Sequence, residues 1–164
     1  MVFSRVASRS GDFARADELY SAARKQFRAS SSENELIDTD ARIAEALVFQ
    51  GEGLPALELT TATLDRSAAT GGAMQDPLLR RIRGYAIAQL GDSEAAHTEL
   101  LYALDEARSR KAQYEAALTL DAIARVGAAV GTPDARADAE AASIFEAMGV
   151  VSVPKVPLVT AASI

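Results

Sequence analysis

Residues 84–96 read Gly-Tyr-Ala-Ile-Ala-Gln-Leu-Gly-Asp-Ser-Glu-Ala-Ala, one amphipathic stretch closing at Gly91 and the next opening at Asp92. A glycine there suits the left-handed residue that ends a helix. The acid after it can cap the following helix and complements its positive start. The same punctuation stands at Gly11-Asp12, at Gly51-Glu52 and, varied, at Gly131-Thr132-Pro133-Asp134, so the glycines are 40 residues apart. Small residues keep step with them. Ala16, Ala56 and Ala96 come five positions later, with Arg136 breaking the column, and Ala44, Gly84 and Ala124 come seven positions earlier. Fixed-period self-similarity of this kind signals stacked helical hairpins, because a single hairpin cannot bury both its faces.

Apolar residues at helical spacing fill the intervals. The predicted helices are 12–29, 34–50, 54–69, 77–90, 93–110, 112–130 and 133–148, with a short eighth over 2–9. Asp76 is expected to cap the helix that Pro77 begins, and Pro133 to lie in the first turn of its own helix. Alanine, at 35 of 164 residues, favours helix, and β-branched residues are sparse. The expected fold is all-α: a right-handed α-solenoid of three to four antiparallel helical hairpins over residues 1–149. Residues 150–164 form an extended tail, since Pro154 and Pro157 preclude a continuous helix.

Ala16, Tyr20 and Ala23, and again Gly84, Ala96, Leu100 and Ala103, resemble the small-aromatic-small pattern of tetratricopeptide repeats, in a longer 40-residue form. Leu100 stands where that pattern has an aromatic. Thr60 and Thr63 depart from it, and its helix A tryptophan is absent throughout. Residues 142–158 resemble the C-terminal end of large bacterial ATPase- or cyclase-linked or transcriptional regulators. That resemblance implies a piece of a longer chain, and the half-unit at residues 1–10 fits it. The tetratricopeptide resemblance implies that helix A of each unit lines a concave surface. It projects Asp38 and Glu45, then Arg81, Tyr85 and Gln89, then Asp121 and Arg125 onto that surface. These residues are candidates for a polar binding groove; the alternative is that they pair with one another as ion bridges.

Composition narrows the function. There is no Cys, so thiolate sites and disulfides are excluded, and a lone His97 argues against multi-histidine metal sites. No catalytic, cofactor-binding or metal-ligating residues are expected, and no nucleophile motif surrounds any serine. His97 reads as a surface residue rather than a general base. A net charge of −6 opposes direct nucleic-acid binding. No apolar run is long enough to span a membrane, and the start has no leader pattern, so a cytoplasmic location is expected. The Arg80-Arg81-Arg83 cluster reads either as an anion contact or as a face paired with neighbouring acids.

The expected function is a non-catalytic protein–protein interaction domain with a protein or peptide partner. The alternative is a sensor of a small effector. Solenoid ends expose uncovered faces. Phe13, Tyr20 and Phe27 are expected to be exposed at the N-terminal end and to favour self-association. At the other end the tail is expected to cover Ile144, Phe145 and Met148.

Overall fold

The computed structural model describes residues 2–159; the rest of the predicted tail, residues 160–164, lies outside the described residues. These residues form eight α-helices and no strand: α1 Val2–Arg9, α2 Phe13–Ala29, α3 Glu33–Gln50, α4 Gly53–Ala69, α5 Asp76–Gln89, α6 Ser93–Ser109, α7 Gln113–Ala129 and α8 Ala135–Ala147. The fold is all-α. Each helix packs on the next in sequence, and the odd-numbered helices also touch one another, α1 to α3, α3 to α5 and α5 to α7. An inner layer of odd-numbered helices is thereby covered by the even-numbered ones. Burial follows the layers. In α5 nearly every residue from Asp76 to Ala88 is buried except the stripe of Arg80, Arg83 and Ile87, whereas α2 buries only Ala16 and Tyr20.

The turns have a local cause. Gly11, Gly51, Gly91 and Gly131 all lie in the left-handed region, with φ between 80° and 92°. At Gly91 the glycine N–H donates to Ala88 O while Asp92 N–H reaches back to Ile87 O, the double bond that satisfies the last carbonyls of a helix. The next helix is then capped. Asp12, Asp92 and Asp134 each accept a backbone N–H from the first turn of α2, α6 and α8, while Glu52 caps nothing with its side chain. The other set of turns uses the same bonding with Ser31, Gly71 and Lys111 at positive φ. Two of those three are not glycine: the breaks at Ser30-Ser31-Ser32 and Ser109-Arg110-Lys111 are legible in the sequence, the left-handed residue within each is not.

Several expectations need correction. Asp76 is the first residue of α5, not its cap, so Pro77 is second. Its buried carboxylate instead accepts from Ser67 Oγ (2.5 Å) and Ala73 N (3.1 Å), tying the loop before α5 to the end of α4. Pro133 precedes the cap Asp134, and α8 starts only at Ala135. Tyr20 is not exposed. It is 2% accessible and packs with Ala7, Ala16, Ala46 and Ile43, because α1 is long enough to cover it. Phe13 and Phe27 are half-buried. The apolar side chains actually exposed at this end are Val2, Phe3 and Val6 of α1 itself.

Close packing explains the small residues. A Cβ on Gly84 would lie 2.7 Å from the Leu100 side chain, and one on Gly127 would lie 2.5 Å from Thr132 O. Gly84 therefore sits where α6 approaches the backbone of α5, and Gly127 where the chain folds back over the end of its own helix.

Candidate functional site

The candidate residues of α3, α5 and α7 lie at helical spacings of four or seven, so each set forms a stripe on its own helix. Arg81 is at the centre and only 4% exposed. Its Nε donates to Glu115 Oε1 on α7 (2.5 Å), and its Nη2 reaches Glu45 Oε1 on α3 (3.5 Å). Glu45, also 4% exposed, is further paired with Arg42 of its own helix (3.4 Å) and with Arg9 of α1 (3.5 Å). A chain of charges Arg9–Glu45–Arg81–Glu115 thus crosses all four inner helices. Asp38 pairs with Arg42 (3.5 Å), and Asp121 with Arg125 one turn away (2.6 Å).

The electrostatics follow from burial and pairing. Burial alone would push the Glu45 carboxyl up, but Arg81, Arg42 and Arg9 together hold it below the usual carboxylate range. Burial likewise disfavours a charged Arg81, yet Glu115 and Glu45 more than restore it and raise its pKa. Tyr85, buried one turn along from Arg81, has its phenol pushed up by loss of solvent, partly offset by Arg81. Tyr20 is raised to about 12 by burial, with Glu45 adding to the shift. These are groups with their charge states locked by their neighbours. None is poised to exchange a proton near neutral pH.

Gln89 differs from the rest. Its Nε2 donates to Val48 O of α3 (2.7 Å) and to Pro157 O of the tail (2.9 Å). Both partners are acceptors, so the amide nitrogen must face them. The tail leaves α8 at Gly149 (φ 68°), and Val150–Val153 run past Phe145 and Asp121. It then continues to Gln89 and Gly51, with Val156 buried in the main core and Leu158 packed against it. The expected cover over α8 is only its first part. Phe145 is half-buried, Met148 stays 45% exposed, and the chain goes on across the inner helices.

The structure thus brings Glu45 and Arg81 together with Glu115, keeps Asp121 with Arg125, and sets Gln89 on the tail. Sequence reasoning missed Arg9 and Glu115 of the charge chain. It also missed Asp40, 1% exposed, which is gripped by Arg24 of α2 (2.6 Å) and by Arg66 of α4. A carboxylate among the apolar residues of α3 was the available signal. The Arg80-Arg81-Arg83 cluster is paired inside the chain: Arg80 and Arg83 both meet Glu99, and Arg80 also meets Glu106.

One further feature lies outside the inner layer. Because Thr132 and Pro133 delay α8, a cleft of about 700 Å³ opens between α6, the end of α7 and the start of α8. His97, Glu94 and Thr98 rim it, over Ile123, Val126 and Val130. His97 makes no hydrogen bond or ion pair among the described residues, which also hold no cluster of three or more metal-ligating side chains. No described helix is long and apolar enough to cross a membrane. Comparison with protein-family models, with curated proteins and with solved structures finds no match for this chain.

Proposed function

We propose that this chain is a non-catalytic protein–protein interaction domain that docks an extended protein or peptide segment on its inner helices. One observation carries this: an extended segment, the tail, already lies across α7, α5 and α3, with the Gln89 amide on its backbone and Val156 buried. A side-chain amide on the backbone and a buried apolar anchor together hold this extended segment, which has no secondary structure of its own. Gln89 and Asp121 lie beside the tail, Glu45, Arg81 and Tyr85 are buried in the same three helices, and Asp38 and Arg125 would extend the surface. Glu45 and Arg81 hold its shape, and Gln89 makes the contact.

The architecture we propose around it is a right-handed solenoid of antiparallel hairpins with a 40-residue repeat of tetratricopeptide type. The recurrence of the same turn at Gly11, Gly51, Gly91 and Gly131, and of its counterpart at Ser31, Gly71 and Lys111, supports that reading. It would serve as the C-terminal part of a larger bacterial signalling or regulatory protein in the cytoplasm, without direct contact to nucleic acid. Val2, Phe3 and Val6 would carry self-association at the N-terminal end.

The test is to pan random decapeptides against the full chain carrying Val156→Asp, which frees the inner surface. Enriched peptides should lose binding when Gln89→Ala or Arg125→Glu is added. The absence of any enriched peptide, or binding indifferent to both substitutions, would overturn the proposal. The cleft beside His97 favours the second reading, effector sensing, since its volume suits a small ligand. In that case ligands would respond to His97→Ala and not to Gln89→Ala.

A further inference from the structure

The tail has a pattern of its own. Val153-Pro154-Lys155 is followed by Val156-Pro157-Leu158, a Val-Pro-x unit used twice. Proline fixes φ and supplies no N–H, so such a segment is stiff, extended and short of donors. Its three-residue spacing matches the turn of a polyproline helix and places Val153 and Val156 on one side. Burial agrees: Val156 is buried and Val153 half-buried, while Lys155 between them is exposed.

The seat for this segment is built by the body of the protein. Gly53 lets the start of α4 close onto the end of α5; a Cβ there would come within 2.9 Å of Gln89 Cβ and 3.0 Å of Ala86 O. That contact, with the bond to Val48 O, sets the direction of the Gln89 amide. Beside it the Pro157 ring lies against Gly51, at ordinary contact distance from where a Cβ would stand.

Yet the tail is held lightly. Beyond the last turn of α8, the hydrogen bond from Gln89 is the one that ties its described residues to the body of the protein. Val151, Ser152, Lys155, Pro157 and Val159 are all exposed. One fully buried residue, Val156, and a single hydrogen bond place a segment at the low end of local stability. A core element is not built this way; a displaceable occupant is.

We infer that the tail is a resident stand-in for the partner, which is an extended segment carrying the same spaced Val-Pro-x-Val-Pro pattern, and that the partner binds by displacing it. This rests on the peptide-docking function proposed above and adds both the class of partner and its regulation. A tail tethered so close competes at a high effective concentration, and the apparent affinity of a partner falls by the fraction of molecules in which the seat is free.

The test uses the full chain and a fluorescein-labelled peptide with the sequence of residues 150–159, followed by anisotropy. Val156→Thr, which keeps the side-chain shape but adds a hydroxyl to a buried position, is introduced either in the chain or in the peptide. In the chain it should loosen the resident tail and strengthen peptide binding by at least severalfold; Val156→Asp should do so by tenfold or more. In the peptide the same Val156→Thr should weaken binding by at least severalfold. This inversion of sign is not expected of a residue that merely stabilises the fold. A scrambled peptide should not bind. Equal affinity for the wild-type and Val156→Asp chains, the same sign in both settings, or binding of the scrambled peptide would overturn the inference. Concentration-dependent dimers that Val156→Asp abolishes would do the same, by showing that the tail serves a second copy. If panned peptides of unrelated pattern bind through Gln89, only this inference falls. If no peptide binds any variant, the docking function falls with it.

Discussion

The inner helix α5 and the outer helix α2 both hold arginines in ion pairs, and the pairs at Arg81 and Arg15 have opposite surroundings. In α5, Arg81 is buried between two carboxylates from other helices, and Gly84 lets Leu100 of α6 approach its backbone. In α2, Arg15 and Glu18 pair on an open surface, and only Ala16 and Tyr20 are buried. The same ion-pair chemistry is structural in one place and nearly incidental in the other. The cost of leaving a charge unpaired depends on how much solvent can replace the partner.

The sharpest way to break the contrast is Arg81→Ala. It leaves Glu115 without its partner and takes from the buried Glu45 one of its three arginines, and thermal or urea unfolding should show a loss of about 3–5 kcal/mol. Acid should produce a partial version of that loss. The Glu45 carboxyl is held low in the fold, so its contribution is present above the ordinary carboxylate pKa and disappears as pH falls through the lowered value. Stability measured against pH should therefore decline below about 4.5, and the part due to Glu45 should be missing in Glu45→Gln. Alkali works in the other direction on Tyr20. Its contribution is intact below the ordinary phenol pKa near 10 and is lost as pH rises toward about 12.

Backbone substitutions come next in size. Gly84→Val drives a side chain into Leu100 and should cost about 1–3 kcal/mol. Gly91→Val meets no neighbour, but it forces a β-branched residue to φ 92°, for about 1–3 kcal/mol of strain. Unchanged melting for Gly91→Val would mean that this turn is not the rigid reversal described. At the bottom of the scale, Arg15→Ala on α2 should shift stability by no more than ~0.5 kcal/mol, because the pair it removes is well solvated. A large effect there would erase the distinction between the two layers.

Much of the fold was legible because its cues are local. All eight helices fall within two residues of the boundaries that periodicity and punctuation predict. The glycine turns were readable since only glycine fits φ near 90° at little cost; at Ser31 and Lys111, φ 53° and 56°, the break between helices was readable but the left-handed residue was not. The inner stripe of Arg81, Tyr85 and Gln89 was legible as a face of one helix. Its partners were not, because Arg9 and Glu115 lie far away in sequence and are chosen by which helices touch.

The amino-acid sequence on its own determined the helices, their turns and the extended character of the tail. Each depends on dihedral preference, capping and apolar spacing within a few residues. Only the tertiary structure decided that Asp40 and Glu45 are buried and paired, that Tyr20 is covered, and that the tail continues past α8 to Gln89 and Gly51. Those outcomes depend on solvent exclusion and on distances between segments far apart in the chain, which no local pattern encodes.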